Sequence, residues 1–457
     1  MAPEGGLGDP GTAVRVDGAE DRCEQRTPLQ PPVSLRSGFR LLVLRISAYG
    51  LLFLVQLLVA RALGPVGRAR YALTLNLANI VWVVLALSLD VSTGAMVARG
   101  EASFRAMSRF LSAATVLLGA IGWLATCVLG LVLPARLVAH SPTGTLVLAG
   151  LIVPLQMAAM MCIAVALRLG ALGAFGWAAL ASALVQLVFV LGLVAVHGLT
   201  PGAALVGVSL GWCALAAPLL IVIRRRVGPG ALVPGVPAGM LRAAVRGGLA
   251  LQPATLGLYL NLRIDLVLVS AFLSAAQAGI YSLSTTLAST VFLAGATLAQ
   301  SALKTQTDAP LPQANRYTTD FIKKMAVYAA LAAGVVTLAA WPIVRYLFGR
   351  QWLESVVPFA ILAFAAIVFT VESPARVMLA RMQRPGQIGL AACAGALANI
   401  ALNLALIPLA GIIGAAIASL VSYALYGGTI VLLFRRASSA SLAAAGVELT
   451  VPIRSQM

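Results

Sequence analysis

Charge is what this 457-residue chain has least of: 10% of its residues are charged and 60% are hydrophobic, where soluble domains carry about 25% charge. That balance excludes a soluble globular protein. Histidine is nearly missing as well. His140 and His197 are the only two, each near the end of an apolar run, so no imidazole stands beside a nucleophile or within a metal-ligand cluster. The five cysteines, Cys23, Cys127, Cys162, Cys213 and Cys393, lie far apart without metal-ligand spacing and read as small packing residues. No Gly-rich phosphate loop of the GxxxxGK[ST] kind occurs, which argues against energy from ATP. No connection between apolar runs is long enough to fold as a catalytic domain, so an enzyme is not expected, and neither is a bound cofactor or metal.

What is present is a series of apolar runs long enough to cross about 30 Å of hydrocarbon. They lie near 39–60, 71–89, 110–133, 145–167, 174–197, 202–223, 247–272, 277–303, 325–347, 355–380, 387–407 and 411–434, referred to below as spans 1 to 12. The expected fold is therefore all-α and membrane-integral, with the lipid bilayer as its surroundings. The sequence also repeats at an offset of 210: Arg36, Gly38, Leu41, Tyr49, Leu52, Leu58 and Val59 return as Arg246, Gly248, Leu251, Tyr259, Leu262, Leu268 and Val269. Leu63, Tyr71, Leu73, Leu77 and Ala78 return as Leu273, Tyr281, Leu283, Leu287 and Ala288, and Arg225 and Arg226 as Arg435 and Arg436. Two six-helix lobes related by a pseudo-two-fold axis around a central cavity follow from that register, the organisation of a transporter whose halves rock about a shared site. The expected divisions are a disordered tail at 1–35, an N-lobe at 36–226, a linker at 227–245, a C-lobe at 246–436 and a second tail at 437–457.

Basic residues set the expected orientation, because Lys and Arg are retained on the cytoplasmic side. With the N-terminus inside, 23 of the 32 Lys and Arg fall in cytoplasmic tails and loops, and Arg61, Arg68, Arg70, Arg136 and Arg350 in outer loops. Both termini are then cytoplasmic, and the net charge of +18 reads as a topology signal. It lacks the basic stripe with interleaved aromatics that nucleic acid would need. The linker segment RRRVGPGALVPGVPAGMLRAAVR at 224–246 breaks any continuous span with its Pro and Gly, and Met240 to Val245 would suit a short surface helix. A polar stretch at 304–324 is expected as a loop between spans 8 and 9.

Ionisable groups inside a span cost roughly 2.5–3.5 kcal/mol each, so they normally face a bundle interior or a wet cavity. Arg45 in span 1 and Arg263 with Asp265 in span 7 are candidates for a central cavity, joined by the polar Gln56, Asn76, Asn79 and Asn261. For Arg45, snorkelling to the interface is an equal reading. Arg263 and Asp265 are two residues apart and so on different faces, which makes them poor partners for each other. Glu372 and Arg376 in span 10 share a face and suit an intrahelical pair, with Pro374 between them as a hinge or a plain packing kink. Asn399 and Asn403 also share a face, and such amides commonly join helices.

The stretches VARALGPVGRARYALTLNLA at 59–78, LRID at 262–265 leading to AGIYSLSTTLA at 278–288, and IPLAGIIGAAIASLVSYAL at 407–425 resemble the Wzx-like polysaccharide-biosynthesis flippases. These belong to the multidrug/oligosaccharidyl-lipid/polysaccharide exporter superfamily, which also holds drug exporters and lipid II flippases. One departure is that Arg68 and Ala69 stand where such proteins often carry an aromatic residue followed by Gly. The resemblance implies translocation of undecaprenyl-pyrophosphate-linked oligosaccharide to the outer leaflet of a bacterial cytoplasmic membrane, for polysaccharide or exopolysaccharide assembly, beside a polymerase or export machinery. Arg45 and Arg263 would then meet the anionic lipid pyrophosphate. A cation-coupled multidrug or metabolite exporter on the same fold is the alternative, with Asp265 or Glu372 binding the coupling proton or sodium ion. A membrane-embedded glycan-assembly enzyme is a second alternative, disfavoured by outer loops nearly free of acids.

Overall fold

A computed structural model describes residues 35–444. The expected tails at 1–35 and 437–457 lie outside these residues, except for Leu35 and for 437–444, which continue the last helix. Among the described residues every regular element is helical. That follows from an apolar solvent, in which each span must satisfy its own backbone N–H and C=O groups. Nine stretches among the described residues are long and apolar enough to cross a bilayer. Two of them, Val43–Ala98 and Pro385–Ser439, double back on themselves, and Ala275–Ser301 supplies span 8, so the twelve expected spans are all present.

The doubling back takes one residue each time. Gly64, at φ 64°, ψ −178°, turns span 1 into span 2 inside the helix Leu35–Ala86, and Gly411, at φ 57°, turns span 11 into span 12 inside Pro385–Ala444. A left-handed φ is open to glycine without a Cβ clash, and Pro65 fixes the φ of the next helical residue. The expected outer loop at 61–70 therefore does not exist: Arg68 and Arg70 belong to the first turns of span 2. The repeat-equivalent connections are ordinary short loops, at Leu273–Ser274 and at 196–200. Span 6 starts at Pro201 behind Thr200, whose hydroxyl accepts from Ala203 N at 3.2 Å as an N-cap.

Two connections are more ordered than the sequence suggests. Met240–Val245 is no separate surface helix but the first turns of span 7, Met240–Phe272, because Met240 and Ala244 are buried against N-lobe residues. The preceding segment packs a 3₁₀ turn, Pro229–Leu232, and Gly235 N donates to Arg109 O at 3.2 Å. The polar stretch at 304–324 is mostly helical: Leu303–Asp308 is a short helix and span 9 begins at Leu311.

Two apolar cores lie in the N-lobe, around Cys162, Leu219 and Ile223 and around Val59, Ile152 and Leu205. Another lies in the C-lobe around Phe369, Tyr426 and Phe434. A fourth crosses between lobes, joining Ala60, Ala69, Leu73 and Ala139 to Val269, Tyr281, Phe348 and Trp352. Lipid tails are as apolar as these side chains, so close backbone approach rather than hydrophobic burial selects the contacts. At Gly279 a Cβ would stand 1.8 Å from Pro65 O, which fixes how near span 8 comes to the turn between spans 1 and 2.

Candidate functional site

Span 2 breaks before its end. Leu87 and Ser88 both adopt left-handed φ, at 48° and 47°, and the helix resumes as Leu89–Ala98. Such a break leaves carbonyls of the preceding turn without their helical partners. A side chain of the opposite lobe reaches this last turn: Gln252 Nε2 of span 7 donates to Val83 O at 2.7 Å and lies 3.5 Å from Val84 O. Ser88 Oγ donates to Gln252 Oε1 at 2.9 Å and sits 2.9 Å from Thr255 Oγ1. Ser92 Oγ donates to Ala244 O at 2.9 Å, and Leu87 O lies where a Cβ on Gly248 would be only 2.2 Å away. The lobes are thus clasped at this end by hydroxyls and one amide, and at the Gly64 end by the apolar core.

Between the two contacts lies a cavity of about 180 Å³ lined by spans 1, 2, 7 and 8. Its polar wall comes from Gln56, Arg68, Tyr71, Asn76, Asn79 and Arg263, with Ser282, Thr285, Thr286 and Ser289 opposite. Two guanidinium-bearing residues and no carboxylate line it. Arg68 is 1% exposed, and four contacts hold it. Nε donates to Ser282 Oγ at 3.2 Å, Nη2 to Thr286 Oγ1 at 2.9 Å, and Nη1 to both Gln56 O and Gln56 Oε1 at 3.4 Å. The first two cross from one lobe to the other. Neutral acceptors satisfy the donors while leaving the charge uncompensated. Gln56 Nε2 donates to Tyr71 OH at 3.4 Å, and Asn76 Nδ2 to Arg263 O at 3.2 Å.

Of the residues singled out from sequence, Gln56, Asn76, Asn79 and Arg263 line this cavity. Arg45, Asn261 and Asp265 do not. Arg45 stays with its own lobe, donating to Tyr49 OH and packing over the rings of Tyr49 and Phe175 at 5.3 and 5.4 Å. Asp265, 1% exposed, turns into the C-lobe, as its offset of two from Arg263 requires. It accepts from Tyr281 OH at 2.6 Å, Ser419 Oγ at 3.1 Å and Leu266 N at 2.8 Å. Asn261, fully buried, lies against Gly395 of span 11, and its side-chain amide has no hydrogen-bond partner. Nearby, Asn403 Nδ2 donates to Asn399 Oδ1 at 2.8 Å, and Asn399 Nδ2 to Ser422 Oγ at 2.8 Å.

Glu372 and Arg376 pair within one helix at 3.3 Å. The helix is interrupted there: Val356–Val371 ends, and Ser373–Arg381 restarts with Pro374 in its first turn. Gln306 Nε2 donates to Pro374 O at 3.0 Å, and Arg381 donates to the backbone carbonyls of Gln306 and Ala309. These residues lie in the C-lobe, away from the cavity.

Sequence reasoning passed over Arg68, Tyr71 and the four hydroxyl residues of span 8. Their spacing carried the signal: 68, 71, 76 and 79 fall on one helical face, as do 282, 285, 286 and 289, two polar stripes within otherwise apolar runs.

No family model matches the sequence, and no curated protein does. Solved structures do match. An inward-facing multidrug resistance MATE family transporter of the MOP superfamily aligns at TM-score 0.70 and 11% identity, covering 88% of this chain and 98% of that one. The lipid II flippase MurJ, in an inward closed conformation, aligns at TM-score 0.60 and 16% identity over 87% and 91% of the two chains. A MOP superfamily transporter from Pyrococcus furiosus aligns at TM-score 0.61 and 13% identity over 88% and 96%. At such identities the likeness carries architecture alone, and this chain is a multi-pass membrane protein with the twelve-helix, two-lobe fold of those transporters.

Proposed function

We propose that the chain carries an amphiphilic anion, a sugar attached to a lipid pyrophosphate, between the leaflets of a bacterial cytoplasmic membrane by alternating access. Polysaccharide assembly is the process it would serve, with a polymerase or export machinery downstream. The observation that carries this reading is the inter-lobe cavity, in which Arg68 and Arg263 meet no carboxylate. Two guanidiniums facing one cavity whose lining holds no carboxylate favour an anion and disfavour a drug cation. At about 180 Å³ the cavity is smaller than the 300–1,000 Å³ usual for ligand pockets, so loading requires the lobes to part.

Reconstituted protein with a fluorescent prenyl-pyrophosphate-linked disaccharide, read by dithionite quenching, tests it. Arg263→Ala should slow translocation at least tenfold with expression and folding unchanged, and translocation at the wild-type rate would remove Arg263 from the mechanism. In cells, deletion should leave lipid-linked sugar on the cytoplasmic leaflet.

A second reading, a cation-coupled exporter, draws on the buried Asp265 beside the unpartnered amide of Asn261. There Asp265 would bind a coupling proton or sodium ion. Drug resistance conferred on a sensitive host and abolished by Asp265→Asn would favour it.

A further inference from the structure

A second recess of about 160 Å³ lies next to the cationic cavity, and its character is opposite. Leu111, Leu118, Met157, Met160 and Met161 of spans 3 and 4 form its apolar wall, Ala114 and Val91 also line it, and Asp90 is its one carboxylate. Span 2 contributes Trp82, Val83 and Ala86, and span 7 contributes Thr255. Both spaces follow the same two helices. On span 2 the cationic cavity ends at Asn79 and the recess begins at Trp82; on span 7 the one ends at Arg263 and the other at Thr255. Between them along both helices stands an edge-to-face pair across the lobes, Trp82 and Tyr259, with ring centroids 6.5 Å apart. Val91 is 46% exposed, so the recess is not sealed from the surroundings.

From this juxtaposition we infer that the recess seats the first part of the hydrocarbon chain of the same molecule whose anionic group lies by Arg263, with Trp82 and Tyr259 parting or tilting to let the molecule bridge the two. The inference rests on the anion reading above and names what the anion is attached to. Its volume admits about five groups of water size, at ~30 Å³ each, which is the heavy-atom count of one isoprene unit. Later units would leave past Val91 into lipid. Three methionines suit such an occupant, because unbranched, polarizable side chains adapt to a flexible chain. Ala114 is a small lining residue, so bulk added there would fill the space.

The test uses the full chain in detergent with inorganic pyrophosphate and farnesyl pyrophosphate as probes. The wild type should bind the farnesyl compound at least ~10-fold more tightly, given the free energy of burying several methylene-sized groups. Ala114→Phe should abolish most of that preference while leaving inorganic pyrophosphate within twofold. A folded Ala114→Phe protein that keeps the full preference would overturn the inference. Photolabelling gives a readout free of that variant: a farnesyl pyrophosphate with a diazirine on its first isoprene unit should modify Met157, Met160 or Leu111. Adducts confined to outward faces such as Val188 or Leu338 would overturn it. So would farnesylamine binding as tightly as farnesyl pyrophosphate with the same sensitivity to Ala114→Phe, which would assign the recess to a lipophilic cation drawn by Asp90. Failure of the wild type to bind inorganic pyrophosphate counts against the anion reading instead, and the photolabel still decides the recess.

Discussion

Replacing Gln252 by Leu isolates the clasp between the lobes from any question of substrate. Leucine keeps the approximate volume and the helix propensity of the site. The substitution removes the 2.7 Å bond to Val83 O and the 2.9 Å bond from Ser88 Oγ. Two such bonds are worth about 1–3 kcal/mol net. Ser88 keeps Thr255 at 2.9 Å, so the loss is confined to the two bonds that the amide makes. At the upper end, about 3 kcal/mol, the equilibrium between clasped and parted lobes shifts roughly 100-fold. Spin labels at Val91 and Leu249, both about half exposed and flanking the contact, would report it on a background with the native cysteines replaced. A second, longer distance should appear in Gln252→Leu and be absent in the parent. One unchanged short distance, with an unchanged melting temperature, would refute the claim that this amide holds the lobes together.

Other perturbations separate further parts of the structure. Gly279→Ala places a Cβ 1.8 Å from Pro65 O, so it should prop the lobes apart at the Gly64 end and lower thermal stability, whereas Gly334→Ala, with open space around it, should be neutral in the same melting assay. Arg376→Ala leaves the carboxylate of Glu372, 1% exposed, without its 3.3 Å partner and should cost about 3 kcal/mol; Glu372→Gln, which removes the buried charge, should cost less, and the order of the two melting temperatures checks it. Arg99 holds the Glu101 carboxyl below its usual range across a 2.5 Å loop contact. Any stabilisation from that pair is present above the usual carboxylate range and lost as pH falls through the lowered value. Both partners are exposed, so Glu101→Gln should not move the melting temperature at any pH between 4 and 8, measured with roughly 0.15 M salt present.

Hydropathy made the spans legible because lipid imposes a length and an apolar composition on each one separately. A turn made by a single glycine defeats it. Arg68, with Arg61 and Arg70, looked like a loop because cationic residues cluster at span ends, yet Gly64 makes the turn alone and puts Arg68 inside span 2. The departure noted at Arg68 and Ala69 fell on the residue that joins the two lobes. Pairwise spacing was informative where a helix alone decides the outcome: Arg263 and Asp265 do diverge, and Glu372 does meet Arg376. It was silent where a second helix decides. Tyr71 and Tyr281 match in the repeat, and each ties its span to the one before, through Gln56 and Asp265 respectively. The repeat aligns the tyrosines, but their partners are displaced by one residue in register, and only packing reveals that one lobe faces an amide and the other a carboxylate. Arg45 had two readings open, and the rings of Tyr49 and Phe175 decide for its own lobe.

The hydroxyls that hold Arg68 across the gap each have another engagement. Ser282 Oγ donates to Gly279 O and Thr286 Oγ1 to Ser282 O, both at 2.7 Å, so neither is stranded if the guanidinium leaves. A phosphate oxygen is a stronger acceptor for that guanidinium than an alcohol. Cargo and seam therefore compete for one set of donors, and an arriving anion would weaken the very stitches that close the space around it.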